Sequence, residues 1–261
     1  MKKRTAAIAF AFSLMPLGQP LLIRTAALTS VSSILAAPKR AMAEDAVFYY
    51  NRGFEKDELG DYSGAIADYS RVINEYPNHP KIHQAYNNRG NTKYKLGDHS
   101  GAIADFNKAI EINPKHARAY YNRGVSKSYL RDNYGAIADY TKAIKINPKY
   151  EEAYYNRANA KYKLEDYSGA IADFNKAIEI NPNSSPALTN RGAAKYKLND
   201  FYGAVSDYNK AVEIDPSDPR AFTNRGSAKR LIGDKKGACS DWRKASSLGN
   251  KNAAKFFRKD C

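Results

Sequence analysis

Between residues 46 and 250 one pattern of about 34 residues recurs six times, and this periodicity constrains the fold more than any property of the whole chain. The stretch from Ala153 to Pro182, AYYNRANAKYKLEDYSGAIADFNKAIEINP, shows the unit: two helical patterns, a short polar turn and a closing proline. Pro114, Pro148, Pro182 and Pro216 follow one another at intervals of 34. Pro77 and Pro114 are 37 apart, so the turn at 78–82 carries three extra residues. A chain built this way grows by stacking units and needs no single large core.

Within each unit the apolar residues recur at helical spacing. The first helix carries a bulky residue at Tyr49, Tyr86, Tyr120, Tyr154, Leu188 and Phe222. Four positions on stands a small one: Gly53, Gly90, Gly124, Ala158, Gly192 and Gly226. The second helix pairs an alanine (Ala65, Ala102, Ala136, Ala170, Ala204, Ala238) with an aromatic four residues later (Tyr69, Phe106, Tyr140, Phe174, Tyr208, Trp242). Bulk opposite smallness lets helices approach closely, so this stripe is core. Asp or Asn in the turn between helices caps the amides that follow. Proline suits the position just beyond a helix end.

The period, the Gly or Ala, the second-helix Ala, the aromatic and the closing Pro together resemble the tetratricopeptide repeat family, over about residues 46–250. The wording of the repeats, NRG…YKLGD…GAIADYNKAIEINP, with the ending GDKKGACSDWRKASSLG, looks like repeat proteins of cyanobacteria and related bacteria. The resemblance implies an all-α, right-handed superhelical solenoid of about six helix-turn-helix units plus a C-terminal capping helix. The units fall at about 46–79, 83–116, 117–150, 151–184, 185–218 and 219–250, with the cap at 251–261. The sixth unit has Asn250 where a proline would close it, as suits a repeat passing into a cap. The resemblance also implies that the first helices line a concave groove.

Two layers of polar residues stand beside the core. Arg52, Arg89, Arg123, Arg157, Arg191 and Arg225 each have a lysine four residues on and an aspartate in the second helix (Asp68, Asp105, Asp139, Asp173, Asp207, Asp241). A ladder of bidentate Arg–Asp pairs is the structural reading, and a cationic floor for an acidic ligand is the functional one. Asn51, Asn88, Asn122, Asn156, Asn190 and Asn224 precede the arginines. An amide side chain both donates and accepts, so such a row can hold an extended peptide by its backbone. Tyr50, Tyr121 and Tyr155 lie beside them, with Tyr94, Tyr162 and Tyr196 further along; tyrosine offers contact area with a polar tip. In the family an asparagine at this place contacts peptide. The family's carboxylate clamp needs lysines and an arginine at set positions, where this chain places Tyr50, Phe54 and Asn87.

The formal charge of +15 is uneven: +4 over residues 1–45, +9 over 219–261 and +2 between. A duplex-binding solenoid would spread its basic stripe along the coil. Cys239 and Cys261 are the cysteines, and no Cys/His cluster has metal-ligand spacing. The two cysteines read either as a disulfide in an exported protein or as a buried thiol and a frayed one. His79, His83, His99 and His116 read as solvated surface residues. Nothing in the chain has the spacing of a nucleophile with its base or of a phosphate-cradling glycine loop, so no enzyme activity, cofactor or small-molecule substrate is expected.

Residues 1–43 lie outside the repeats. Lys2, Lys3 and Arg4 precede an apolar run from Ala6 to Ile23, and Ala41-Met42-Ala43 stands just before Glu44. These features describe a secretory signal cleaved after Ala43, with an uncleaved anchor, a transit peptide or a plain tail as alternatives. The expectation is an exported protein, in a periplasm or thylakoid lumen and near a membrane, that binds another protein or peptide in its groove as a scaffold for a larger complex. The alternative is an electrostatic binder of anionic membrane or nucleic acid through Lys251, Lys255, Arg258 and Lys259.

Overall fold

A computed structural model describes residues 44–261, which contain thirteen α-helices and no strand. The expected targeting segment, 1–43, lies outside the described residues. Helix α1 covers 44–58. It is followed by α2 (Tyr62–Glu75), α3 (Ile82–Lys95), α4 (His99–Ile112), α5 (Ala117–Tyr129), α6 (Asn133–Ile146) and α7 (Glu151–Lys163). Then come α8 (Tyr167–Ile180), α9 (Ser185–Lys197), α10 (Phe201–Ile214), α11 (Pro219–Leu231), α12 (Lys235–Ser247) and α13 (Lys251–Asp260). Each odd helix from α3 to α11 packs against the even helix after it, each even helix packs on the next odd one, and α1 meets α2 where Gly53 faces Tyr69.

Local chemistry sets the helix ends. The carboxylates of Asp61, Asp98, Asp132, Asp166, Asp200 and Asp234 each accept from the backbone N–H of the glycine three residues on, capping every second helix. That residue has to be glycine, because a Cβ on Gly101 would collide with the Asp98 carboxylate. The residue before each cap turns the chain with positive φ; it is Gly60, Gly97 and Gly233 in three repeats, but Arg131, Glu165 and Asn199 in the others. Asn113, Asn147 and Asn181 follow the second helices and accept through Oδ1 from the amide two residues on, closing the turn that holds the proline. Asn250 instead accepts from the amides of Asn252 and Ala253, so the missing sixth proline is replaced by the N-cap of α13.

The core is a file of small and large residues in contact. Tyr69, Phe106, Tyr140, Phe174, Tyr208 and Trp242 are all buried, each against the small residue of its own first helix. A Cβ on Gly90 would come within 2.8 Å of the Phe106 ring. Burying each aromatic contributes roughly 1.5–3 kcal/mol, and six such layers distribute the stability evenly along the chain.

The Arg–Asp ladder is present in every repeat. Arg157 Nε and Nη2 donate to Asp173 Oδ2 and Oδ1 at 2.8 and 2.6 Å. Lys161 reaches Asp173 Oδ2 at 2.8 Å. The arginine also reaches outside its repeat: Arg157 Nη1 donates to Thr141 Oγ1 on the preceding second helix at 2.9 Å. Arg89, Arg123, Arg191 and Arg225 do the same to Ser70, Asn107, Asn175 and Asn209. Each of these arginines therefore ties three helices. The three extra residues at 78–82 are absorbed by the loop, because Arg89 finds Ser70 across 19 positions while the other arginines find their partners across 16.

At the C-terminus, Cys239 on α12 and Cys261 form a disulfide with Cα atoms 5.8 Å apart. Phe256 packs on Trp242 with ring centroids 5.6 Å apart, and Arg243 lies over Phe257.

Candidate functional site

The first helices form the inner face of the solenoid. α3 touches α5, α5 touches α7, α7 touches α9 and α9 touches α11, whereas no comparable contact joins successive second helices among the described residues. A stack whose odd helices meet and whose even helices do not must curve towards the odd ones. The asparagine and tyrosine rows are on those helices.

These rows bond to each other. Asn88 Nδ2 donates to Tyr50 Oη at 2.9 Å, Asn156 Nδ2 to Tyr121 Oη at 2.9 Å, and Asn190 Nδ2 to Tyr155 Oη at 3.1 Å. Asn122 finds Asn87 in the tyrosine position and donates to its Oδ1 at 3.1 Å. Each bond runs from one first helix to the preceding one, so the rows act as latches between repeats. This differs from amides wholly available to a peptide: four of the six donate inside the protein. The row fails once, at Asn224, where Thr189 occupies the tyrosine position. Thr189 Oγ1 is buried without a partner, and Asn224 has none either. Asn51 is exposed and has no preceding repeat among the described residues.

The second tyrosine row packs on the start of its own repeat's second helix. Tyr94, Tyr162 and Tyr196 meet His99, Tyr167 and Phe201 with centroids 5.0, 5.2 and 5.3 Å apart. Where the third repeat has Ser128 instead, a cavity of about 510 Å³ opens, lined by Ser128, Tyr140, Asn156, Asn159, Tyr162, Lys163, Asn190 and Ala193. Tyr162 and Ala193 also line a second cavity of about 360 Å³, with Tyr196, Lys197, Tyr208, Thr223, Asn224 and Ser227 and, from the cap, Asn252 and Phe256. The two cavities are thus neighbours in one trench. A third, of about 190 Å³, lies among Tyr50, Phe54, Asp57, Glu58, Tyr69, Asn88, Asn91, Lys95 and Arg118. Asn51, Asn122, Tyr94, Tyr121 and Tyr155 line none of the three.

Burial raises the Tyr121 hydroxyl to about 12 and also raises those of Tyr50 and Tyr162, so these tyrosines remain neutral hydrogen-bonding groups. The histidines are less solvated than their turn positions suggest. His83 and His116 pack edge to face at 5.0 Å. Burial, then His83 and Arg118, lowers His116 to about 4. His99 and His116 each bury an Nδ1 without a partner. Among the described residues no group of three His, Cys, Asp or Glu side chains converges to hold a metal.

Sequence reasoning passed over Lys163, Lys197, Asn159, Asn252 and Phe256 as lining residues. The signal for the lysines was visible in the recurrent Tyr-Lys pairs 94–95, 162–163 and 196–197. Asn159 lies one helical turn from Asn156 and Lys163 on the same face. Nothing in the sequence announced that the cap would supply a wall of the trench.

Comparison with known proteins places this architecture. Tetratricopeptide repeat models match residues 43–79, 83–116 and 151–184, and a TPR repeat model matches 132–165 and 192–233. No curated protein matches the sequence. Among solved structures, YrrB, described as a TPR protein with an unusual peptide-binding site, is 22% identical with a TM-score of 0.64, covering 73% of this chain and 97% of its own. PilF of Pseudomonas aeruginosa is 15% identical with a TM-score of 0.71, covering 84% and 99%. MamA is 24% identical with a TM-score of 0.59, covering 63% and 96%. At these identities the likeness concerns the fold. With the repeat models matching more than half of its length, the chain belongs to the tetratricopeptide repeat family.

Proposed function

We propose that this protein is a non-catalytic adaptor that holds an extended segment of a partner protein along the trench of its first helices, as part of the assembly of a larger complex. The observation that carries this reading is the pair of adjoining cavities sharing Tyr162 and Ala193 on the inner face, lined by aromatic rings, amides and one lysine each. Concave, part-apolar sites with a few convergent polar groups are the usual form of a binding site. The peptide-binding site described for YrrB supports the same use of the fold here. The Cys239–Cys261 disulfide supports an oxidising compartment such as a periplasm or thylakoid lumen.

The test is photo-crosslinking in the native compartment, with a photoreactive residue replacing Ala193 in the trench or Lys176 on α8. A discrete partner adduct is expected from position 193 and not from 176. Equal adducts from both positions, or adducts that vanish in moderate salt, would favour electrostatic binding through the basic C-terminal end instead.

A further inference from the structure

The first two repeats contain an internal carboxylate site. Asp57, on α1, is buried to 8% exposure among first-helix residues. Its Oδ1 accepts from Thr92 Oγ1 at 2.8 Å and its Oδ2 pairs with Lys95, both on α3. A carboxylate from one repeat is thus held by the lysine that follows the tyrosine position of the next.

The same register recurs two repeats further on with the acid missing. The position of Asp57 is taken by Ser128 on α5, and that of Lys95 by Lys163 on α7. Ser128 is too short to reach across. Ser128 and Lys163 line the cavity of about 510 Å³ together, and Lys163 has no carboxylate within ion-pair distance. Lys161, two residues away, is engaged with Asp173, so the lack of a partner is particular to Lys163. The other polar groups of the lining are the amides of Asn156, Asn159 and Asn190 and the hydroxyls of Tyr140 and Tyr162, none of them anionic. The site has the lysine of an acid-binding pair and the space left by the absent acid.

We propose that this cavity between the third and fourth repeats takes an internal Asp or Glu side chain of the bound segment, with Lys163 as its counter-ion and Asn159 among its hydrogen-bond donors. The ligand's carboxylate stands where Asp57 stands in the first repeat. The inference rests on the groove-binding reading and adds the chemistry of the residue that enters the cavity. Because an internal side chain is recognised, a free C-terminus on the peptide is not required.

The test is selection of end-blocked random dodecapeptides on the purified, disulfide-intact protein. Enriched peptides should share an acidic residue, and changing it to the isosteric amide should weaken binding roughly tenfold, the scale of a charge-assisted hydrogen bond. Lys163→Gln should remove that difference. Ser128→Asp, which supplies the missing acid from within, should also remove it. Circular dichroism checks that each variant remains helical, and Ala193→Trp, which fills the trench, should abolish binding of every selected peptide. Acid preference that survives both Lys163→Gln and Ser128→Asp would overturn the site. Selected peptides that lack an acid yet fail on Ala193→Trp would overturn it while leaving the groove reading intact. Peptides indifferent to Ala193→Trp, or no enrichment at all, would overturn both.

Discussion

At the residue scale the arginine of each repeat does more than its pairing implies. Arg157 neutralises a buried aspartate, bonds to the preceding repeat and lies over Tyr154 at 5.6 Å. Removing it leaves Asp173 buried with Lys161 alone, so Arg157→Ala should cost about 3 kcal/mol, the lower end for breaking a buried pair. Arg157→Lys keeps the charge but loses the fork and should cost about half as much. Urea unfolding of the two variants checks this, and equal, negligible losses would show the clamp to be ornamental. The Arg–Asp half of this arrangement was legible in the sequence, because both residues recur in all six units. Its reach into the neighbouring repeat was not, since Ser70, Asn107, Thr141, Asn175 and Asn209 share only the ability to accept a hydrogen bond. The Asn–Tyr latches were hidden for the same reason: a periodic sequence shows that residues recur and not which neighbour they touch. Thr189 and Ser128, the two departures that shape the trench, look like minor variation until the latch and the cavity are seen.

At the scale of the helix, the caps and packing stripes were readable because they depend on contacts a few residues apart. The role of α13 was not, because it rests on a contact between the two ends of one repeat and its cap. The helix has an Asn250 cap at one end and the Cys239–Cys261 bond at the other, and it brings Asn252 and Phe256 to the trench. Closing a loop of 22 residues stabilises by roughly 3 kcal/mol on the chain-entropy account. Reduction should therefore loosen α13 first. Hydrogen exchange with and without a dithiol reductant should show lost protection in α13 and the adjoining part of α12, with α3 to α8 unchanged. Uniform loss along the chain would mean that the cap holds the whole stack in register.

At the scale of the molecule, stability is a sum of similar units and similar joints. The clamp repeats in every unit and the latch from the second to the fifth in matching register, so the chain should tolerate loss of a whole period from within that stretch. Deleting residues 151–184 brings Arg191 within reach of Thr141, the counterpart of Asn175, and leaves Tyr121 facing Asn190. This shorter chain should fold cooperatively, with a smaller denaturant dependence in proportion to its lost surface. Deleting 151–183, one residue fewer, leaves one extra residue in the loop between α6 and α9, which should absorb it as the loop at 78–82 absorbs three, so the two deletions should unfold alike.

The joints are not all alike. From the second repeat to the fifth, each first helix is latched to the one before by an asparagine amide, while the arginine separately ties it to the preceding second helix. Between the fifth repeat and the sixth the asparagine latch is missing, because Thr189 does not bond to Asn224, and the joint is held by the arginine tie and by the packing of Leu188, Ala211 and Ala221. A coil held by two parallel braces resists bending, and one held by a single brace flexes about it. The solenoid should therefore be most compliant at α9–α11, beside the cavity of about 360 Å³ that the tethered cap helps to line. A segment lying in the trench would meet a stiff, curved track through the first five repeats and an end that can swing to fit what arrives there.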